Sequence, residues 1–392
     1  MTQKPSPFNT SLLDRLMTDA GIDVLLVTSK HNVQYMLGGH KAMFFEVMDA
    51  MGVSRYLPVL IYPRGAAHKA AYVGHRTEAN QAEAEPFWIP HVRTDSWGSV
   101  DAIEKAVEVL NGLGVPARRI GVEMAFLPFD SAQALTGSLP GAELIDAFAV
   151  LEALRALKTP RELDLLREAT ERVGAAMAET FAAIRPGMTK RDVVQVLRQA
   201  ETDRGLVFEY CLLTAGPSHN RAPSDQVIQP GDVINLDSGG NYHGYLGDIA
   251  RMGVVGEPDA ELIDALKQID AVQQAAFAAI RPGALGQAVY TAAQAAMARI
   301  SYGNALHFVA HGMGLVSHEI PHLTATGPVR YGDEDAARPL LPGMVLSVET
   351  TLRHPTRGFI KLEDTIAVTA EGGELFGDTI RGWNRIGAPL DA

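Results

Sequence analysis

Two stretches decide the fold: Pro230-Gly-Asp-Val-Ile-Asn-Leu-Asp237 and Pro342-Gly-Met-Val-Leu-Ser-Val-Glu349. Both follow the pattern Pro-Gly-x-Val-apolar-x-apolar-carboxylate. The alternation predicts a strand in each, and each strand ends in an acid. A second echo lies upstream of each stretch. Phe-Ala-Ala-Ile-Arg-Pro-Gly occurs at 181–187 and again, identically, at 277–283. Two echoes in the same order indicate an internal duplication. Residues 161–368 therefore read as two related halves, each a helical stretch followed by a strand ending in a carboxylate.

The chain beyond each stretch predicts a hairpin. Gly239-Gly-Asn-Tyr-His-Gly244 is rich in turn residues, and Tyr245 to Ala250 reads as the return strand. A turn centred between Tyr242 and His243 sets Asp237 opposite Asp248. In the second half, a turn centred on Thr356 sets Glu349 opposite Glu363. Opposed residues on paired strands hold their Cβ atoms roughly 5 Å apart. Carboxylates that close repel unless a cation or proton lies between them. The repeat brings both acidic hairpins to one point, so divalent metal is expected, most simply as two ions. His307-Phe-Val-Ala-His311-Gly-Met-Gly-Leu-Val-Ser-His318 lies between the hairpins and supplies imidazoles. Gly312 and Gly314 allow close backbone approach to a ligand. Oxygen-rich ligation with one imidazole suits manganese or another first-row ion better than a structural zinc. An isolated acid is ordinarily a solvated surface residue, and a lone His is ordinarily a hydrogen-bonded core residue. Asp237 and Glu349 depart from that expectation because both end apolar strands at the same place in a repeat.

Upstream, Leu163, Leu166, Val173, Met177, Phe181 and Ile184 form a helical stripe that Pro186-Gly187 ends. The next helix begins at Thr189, with Asp192 as its capping-box partner, and Gly205 is placed to end it. Leu154 to Leu163 reads as a linker, with Thr159-Pro160 favouring a turn. Before it, Ile22 to Val27, Tyr56 to Tyr62, Ala70 to Val73 and Arg119 to Glu123 read as strands, and Ile103 to Leu113 as a helix. This alternation predicts an α/β domain without a cluster of chemical residues.

The chain has 392 residues, too many for one ordinary core, and a net charge of −12. The charge argues against nucleic acid or an anionic membrane as the main partner. No apolar run approaches the roughly 18 residues of a membrane span. The N-terminus lacks the apolar stretch of a signal peptide, and a cytoplasmic protein is expected. Cys211 is the only cysteine, so no intrachain disulfide forms. Its apolar neighbours predict a packed core thiol.

These motifs resemble the pita-bread metallohydrolases: Xaa-Pro aminopeptidases, prolidases, methionine aminopeptidases and creatinase. Leu236-Asp-Ser-Gly239, Gly247-Asp-Ile-Ala-Arg251, His307-x-x-x-His311-Gly, Pro342 to Glu349 and Ile360-Lys-Leu-Glu-Asp364 fall in that family's order. The resemblance extends to Lys158-Thr-Pro-Arg-Glu162 and, more weakly, to an N-terminal domain that methionine aminopeptidases typically lack. It implies a creatinase/prolidase-like α/β domain at 1–157. It also implies an α+β pita-bread catalytic domain with an internal pseudo-twofold repeat at 158–392. Asp237 would bind one metal, His311 and Glu349 the other, and Asp248 and Glu363 both. Glu349 would accept the proton, while His307 and His318 would position substrate. The family's further upstream histidine is assigned to His219, although ungapped alignment places Asn220 there. Thr350 stands where the family often has Pro. Lys361 stands where aminopeptidase-type members often have Arg, and is expected to meet a substrate carboxylate.

The implied activity is that of an Xaa-Pro dipeptidase or aminopeptidase with two divalent ions, manganese first and cobalt, zinc or iron as alternatives. A C–N hydrolase of a small non-peptide metabolite, similar to creatinase or ectoine hydrolase, is the competing reading. A scaffold on a retired fold and a lyase acting on a sulfonium compound are lesser ones. The resemblance also implies a homodimer, with His40 to Phe45 and Trp97 as places where one subunit closes the other's site.

Overall fold

The computed structural model describes residues 4–43, 49, 52–324 and 334–387. The chain divides into two compact units, Met1–Arg155 and Ala156–Ala392.

The first unit holds strands β1 (Val24–Val27), β2 (Val59–Pro63), β3 (Ala71–His75), β4 (His91–Ser96), β5 (Arg119–Val122) and β6 (Glu143–Asp146). They form one sheet in the order β4-β3-β2-β1-β5-β6. β1 runs antiparallel to β2 and parallel to β5. Among the described residues, six α-helices accompany the sheet: α1 (Thr10–Asp19), α2 (Lys30–Met36), α3 (Ala79–Ala84), α4 (Ser99–Leu113), α5 (Phe129–Ser138) and α6 (Phe148–Ala156). Central β1 is buried on both faces, which is why Val24-Leu-Leu-Val reads as a continuous apolar run. Ala102, Ile103, Ala106 and Leu110 of α4 pack on the sheet as one helical stripe. Phe44 and Phe45 lie outside the described residues. Trp97 is 58% exposed, with the Arg76 guanidinium over its ring.

The second unit begins with α7 (Pro160–Ala183) and α8 (Lys190–Asp203), followed by β7 (Val207–Ala215), β8 (Val233–Tyr242) and β9 (Tyr245–Val255). The pattern then repeats with α9 (Ala260–Ala279), α10 (Gly286–Met297), β10 (Leu306–Gly312), β11 (Glu319–His322), β12 (Val345–His354) and β13 (Gly358–Val368). Short β14 (Gly373–Phe376) and β15 (Asn384–Ile386) add to β13 and β9. The main sheet runs β11-β10-β12-β13-β9-β8-β7. The hairpins β8-β9 and β12-β13 therefore stand side by side at its centre.

Local chemistry sets the helix starts. Thr159 caps α7 in a capping box with Glu162, and Pro160 takes the first turn, where its missing N–H costs nothing. Thr189 and Asp192 form the corresponding box on α8. Val173, Met177 and Phe181 of α7 pack on Ile234, Leu236 and Ile249 of the first hairpin. Val272 and Ala276 of α9 do the same for Leu346, Val348 and Ile366 of the second.

The repeat extends to individual hydrogen bonds. Gly187 N donates to Ile228 O, and Gly283 N donates to Leu340 O. Gly231 N donates to Val255 O, and Gly343 N donates to Val368 O. Each Phe-Ala-Ala-Ile-Arg-Pro-Gly segment ends its helix and docks on the chain just before its Pro-Gly strand.

The two hairpins differ in register from one another. Glu349 pairs directly with Glu363, as the sequence predicts. Asp237 pairs with Ala250, and Asp248 with Gly239, so the two aspartates are diagonal rather than opposite. The predicted centre of this turn is corrected by one residue. Tyr242 pairs with Tyr245, leaving His243-Gly244 as a two-residue turn with positive φ at both (51° and 98°). Such a turn matches the twist of the strands and fixes the register. The diagonal pair still shares one face of the sheet.

Candidate active site

The four acids sit one on each of four neighbouring strands: Glu349 on β12, Glu363 on β13, Asp248 on β9 and Asp237 on β8. His311 comes from β10, opposite Ser347. β9 and β13 pair antiparallel at Ala250 and Glu363. Buried Arg251 braces these strands, donating to Glu363 O (2.7 Å) and Ala250 O (3.0 Å) and pairing with Asp364. The acids thus converge where the two halves of the repeat meet.

Asp237, Asp248 and Glu363 offer oxygens that lie within 4.8 Å of one another. His311, His318 and Glu349 form a second such group. Asp237, Asp248, Glu363 and His311 are almost fully buried, while the Glu349 side chain keeps 16% exposure toward a cavity of about 570 Å³. His311 Nδ1 lies 3.0 Å from Gly312 O, which favours a proton on that nitrogen and turns Nε2 toward Glu349 Oε1 at 3.1 Å.

Burial, then the charges of Glu363 and Asp237, push the Asp248 carboxyl well above the usual carboxylate range. Burial, then Glu349, raises Glu363 to about 7. Burial opposes ionisation of Glu349, but Lys361 and His311 outweigh it and hold that carboxyl low. Asp248 Oδ1 is buried and has no hydrogen-bond partner among the described residues. Carboxylates crowded out of water with an unused oxygen are what a divalent cation relieves. The donor set fits two such ions.

Two residues that the sequence reading passed over reach the cage. Tyr210 Oη donates to Asp248 Oδ2 at 2.5 Å. Arg221 donates to Asp237 Oδ2 and lies over the Phe359 ring. Tyr210 was legible in principle. On β7 it alternates with buried Cys211, so it faces the opposite side of the sheet. Arg221 carried no such signal, because it lies in an irregular segment. Cys211 is a buried free thiol, and burial pushes its pKa up.

The predicted histidines separate. His307 and His318 line the cavity. His318 stacks on His311 with centroids 3.7 Å apart, and burial, then His311, pushes its pKa down to about 3. His219 is exposed, with its ring centroid 6.5 Å from that of Phe359 in an edge-on arrangement, and Arg221 from the same segment lines the cavity. The Lys361 ammonium lies within the cage, 2.5 Å from Asp237, 2.6 Å from Glu349 and 2.7 Å from Glu363. Its partners here are protein carboxylates, where the sequence suggested a substrate carboxylate.

The loop carrying His318 is held from behind. Lys158 Nζ donates to Glu319 Oε1 at 2.6 Å, and both side chains are 1% exposed. Gly314 O, in the same loop, accepts from Leu246 N on β9.

Both parts of the chain match known proteins. Residues 10–157 match the creatinase/prolidase N-terminal domain. The chain is 28% identical to a probable dipeptidase, PepE, of Mycobacterium tuberculosis, over 90% of this chain and 89% of that one. It is 25% identical to an Xaa-Pro dipeptidase of Pyrococcus horikoshii, over 93% of this chain and 95% of that one. A solved Xaa-Pro dipeptidase from Bacillus anthracis superposes with a TM-score of 0.80 at 25% identity, covering 96% of this chain and 99% of that one. Residues 164–370, which carry both acidic hairpins and the histidine strand between them, match metallopeptidase family M24, and the chain belongs to that family.

Proposed function

We propose that this chain is a dinuclear metal-dependent peptidase that cleaves Xaa-Pro bonds, as a dipeptidase or an aminopeptidase. The observation that carries the reading is the convergence of four carboxylates from four neighbouring strands on one cavity, with His311 of β10 buried against Glu349. In this reading residues 1–157 form the N-terminal domain and 158–392 the catalytic one. Asp237 would hold one ion, His311 and Glu349 would hold the other, and Asp248 and Glu363 would complete both sites. The ions, when bound, acidify water and polarise the scissile carbonyl.

The chain's own groups do the rest. Glu349 is the cage carboxylate most open to the cavity, so it is placed to take a proton from the attacking water. His307 and His318 line the same wall and are placed to orient the substrate carbonyl. Low proton affinity keeps His318 neutral, so it donates a hydrogen bond without adding positive charge. His219 is assigned to the rim, where Phe359 offers an apolar platform. Arg221 and Arg353 line the cavity and suit a substrate carboxylate. Manganese is the preferred ion on the donor set. A homodimer in the cytoplasm completes the reading.

The test is hydrolysis of Xaa-Pro dipeptides and longer Xaa-Pro peptides by manganese-loaded protein, with and without chelator. Chelator-sensitive cleavage is expected, and length preference separates dipeptidase from aminopeptidase. Two bound metals without cleavage of any peptide would overturn the assignment. That result would favour a C–N hydrolase of a small anionic metabolite, a reading supported by Arg221 reaching the cage from the segment where a histidine was expected.

A further inference from the structure

Lys361 lies two residues before Glu363 on β13, so both side chains emerge on one face of the sheet. Its ammonium contacts Asp237, Glu349 and Glu363, which come from three different strands. The side chain is 3% exposed. An ammonium has three donor protons, and three carboxylates surround this one. In the first half of the repeat the residue two before Asp248 is Leu246, which is apolar. At this strand position, therefore, only the second half places a cation in the cage. Arg221 adds positive charge at Asp237 but remains 34% exposed at the cavity wall.

We propose that Lys361 is a built-in competitor for the metal ions, one that sets how much free metal the protein needs before its centre fills. The inference rests on the dinuclear reading of the cage. The carboxylates that pair with the ammonium are among those that would hold the divalent ions. Each full complement of metal therefore has to break ammonium contacts and move a buried side chain. The work of doing so appears as weaker metal affinity. When metal is scarce, the same ammonium neutralises part of the crowded charge and keeps the two hairpins together. Loading of this protein should then follow the supply of free divalent metal, rather than remain saturated.

Binding of Mn²⁺ alone separates the possibilities. Chelator-treated protein is titrated calorimetrically with Mn²⁺, and the Tm of the metal-free and loaded forms is recorded. Lys361→Met is compared with the unmodified protein, and Lys361→Gln serves as the second variant if the first does not fold. Expected results are at least a tenfold tighter affinity for one or both ions in the variant, a lower Tm for its metal-free form, and a larger rise in Tm on loading. Unchanged or weaker affinity in a folded variant would overturn the inference while leaving the metal centre standing. Absence of Mn²⁺ binding by the unmodified protein would remove the dinuclear reading itself.

Discussion

Tyr210 and Gly239 face each other across β7 and β8, and the Tyr210 ring fills the space a Cβ on Gly239 would take, 2.5 Å from the ring's Cε1. The missing side chain lets the phenol reach Asp248. A hydrogen bond to a charged group is worth about 1.5–3 kcal/mol, so Tyr210→Phe should lower kcat/KM roughly 10- to 100-fold while the protein stays folded. Gly239→Ala should crowd the ring and destabilise the fold by about 1–3 kcal/mol. Steady-state kinetics and urea unfolding check the two effects, and unchanged kinetics in Tyr210→Phe would show that Asp248 needs no such support.

Glu349→Gln keeps the shape of the side chain but cannot hold a proton. If Glu349 is the proton acceptor, kcat should fall about 10²- to 10⁴-fold. Metal content measured on the same sample decides the interpretation. A loss of activity matched by loss of bound metal would assign Glu349 to ligation alone.

Glu201 is buried behind Asp237, with Ser238 Oγ donating to its Oε1. Burial raises its pKa to about 8. The folded protein therefore binds more protons than the unfolded chain between pH 4.5 and pH 8. Stability from this group is fully present below about pH 4.5 and is lost as pH rises through 8, by at most about 1.4 kcal/mol per pH unit. Glu201→Gln mimics the protonated form. Its Tm should match that of the unmodified protein near pH 5 and exceed it near pH 9. Parallel Tm curves across that range would mean that Glu201 does not titrate in the window.

Lys158 and Glu319 form an ion pair with almost no access to water. Removing one partner strands a buried charge, so Lys158→Met should cost about 3–5 kcal/mol. Pairing it with Glu319→Leu removes the stranded charge and should recover much of that loss. Because Glu319 follows His318 directly, the double variant should still have an impaired kcat. Full recovery of both stability and kcat would show that the pair has no part in placing the His318 loop.

Much of this fold was legible because the repeat supplied two readings of each element. Pro-Gly followed by an alternating strand marked Asp237 and Glu349, and the three-residue turn 355–357 allowed Glu363 to be placed directly. The first hairpin was misread by one residue at its centre. Gly244 was counted as part of a longer turn, and nothing in the composition showed that His243 would accept a positive φ. Lys361 was read against a substrate because spacing gives the face of the strand, not the direction of a long flexible side chain. Arg221 was missed because its placement depends on an irregular segment whose path follows from tertiary contacts, among them Leu213 N donating to Arg221 O.

The pseudo-twofold arrangement of the hairpins also bears on ancestry. If a single half once assembled as a pair of identical chains, every group near the axis would have been present twice. A lysine at the position of Lys361 would then have faced its own copy, two ammonium groups competing for one cluster of acids. Once the halves are joined in one polypeptide, mutation can act on one side alone. Leu246 on one side and Lys361 on the other are the kind of difference that only a fused pair can acquire.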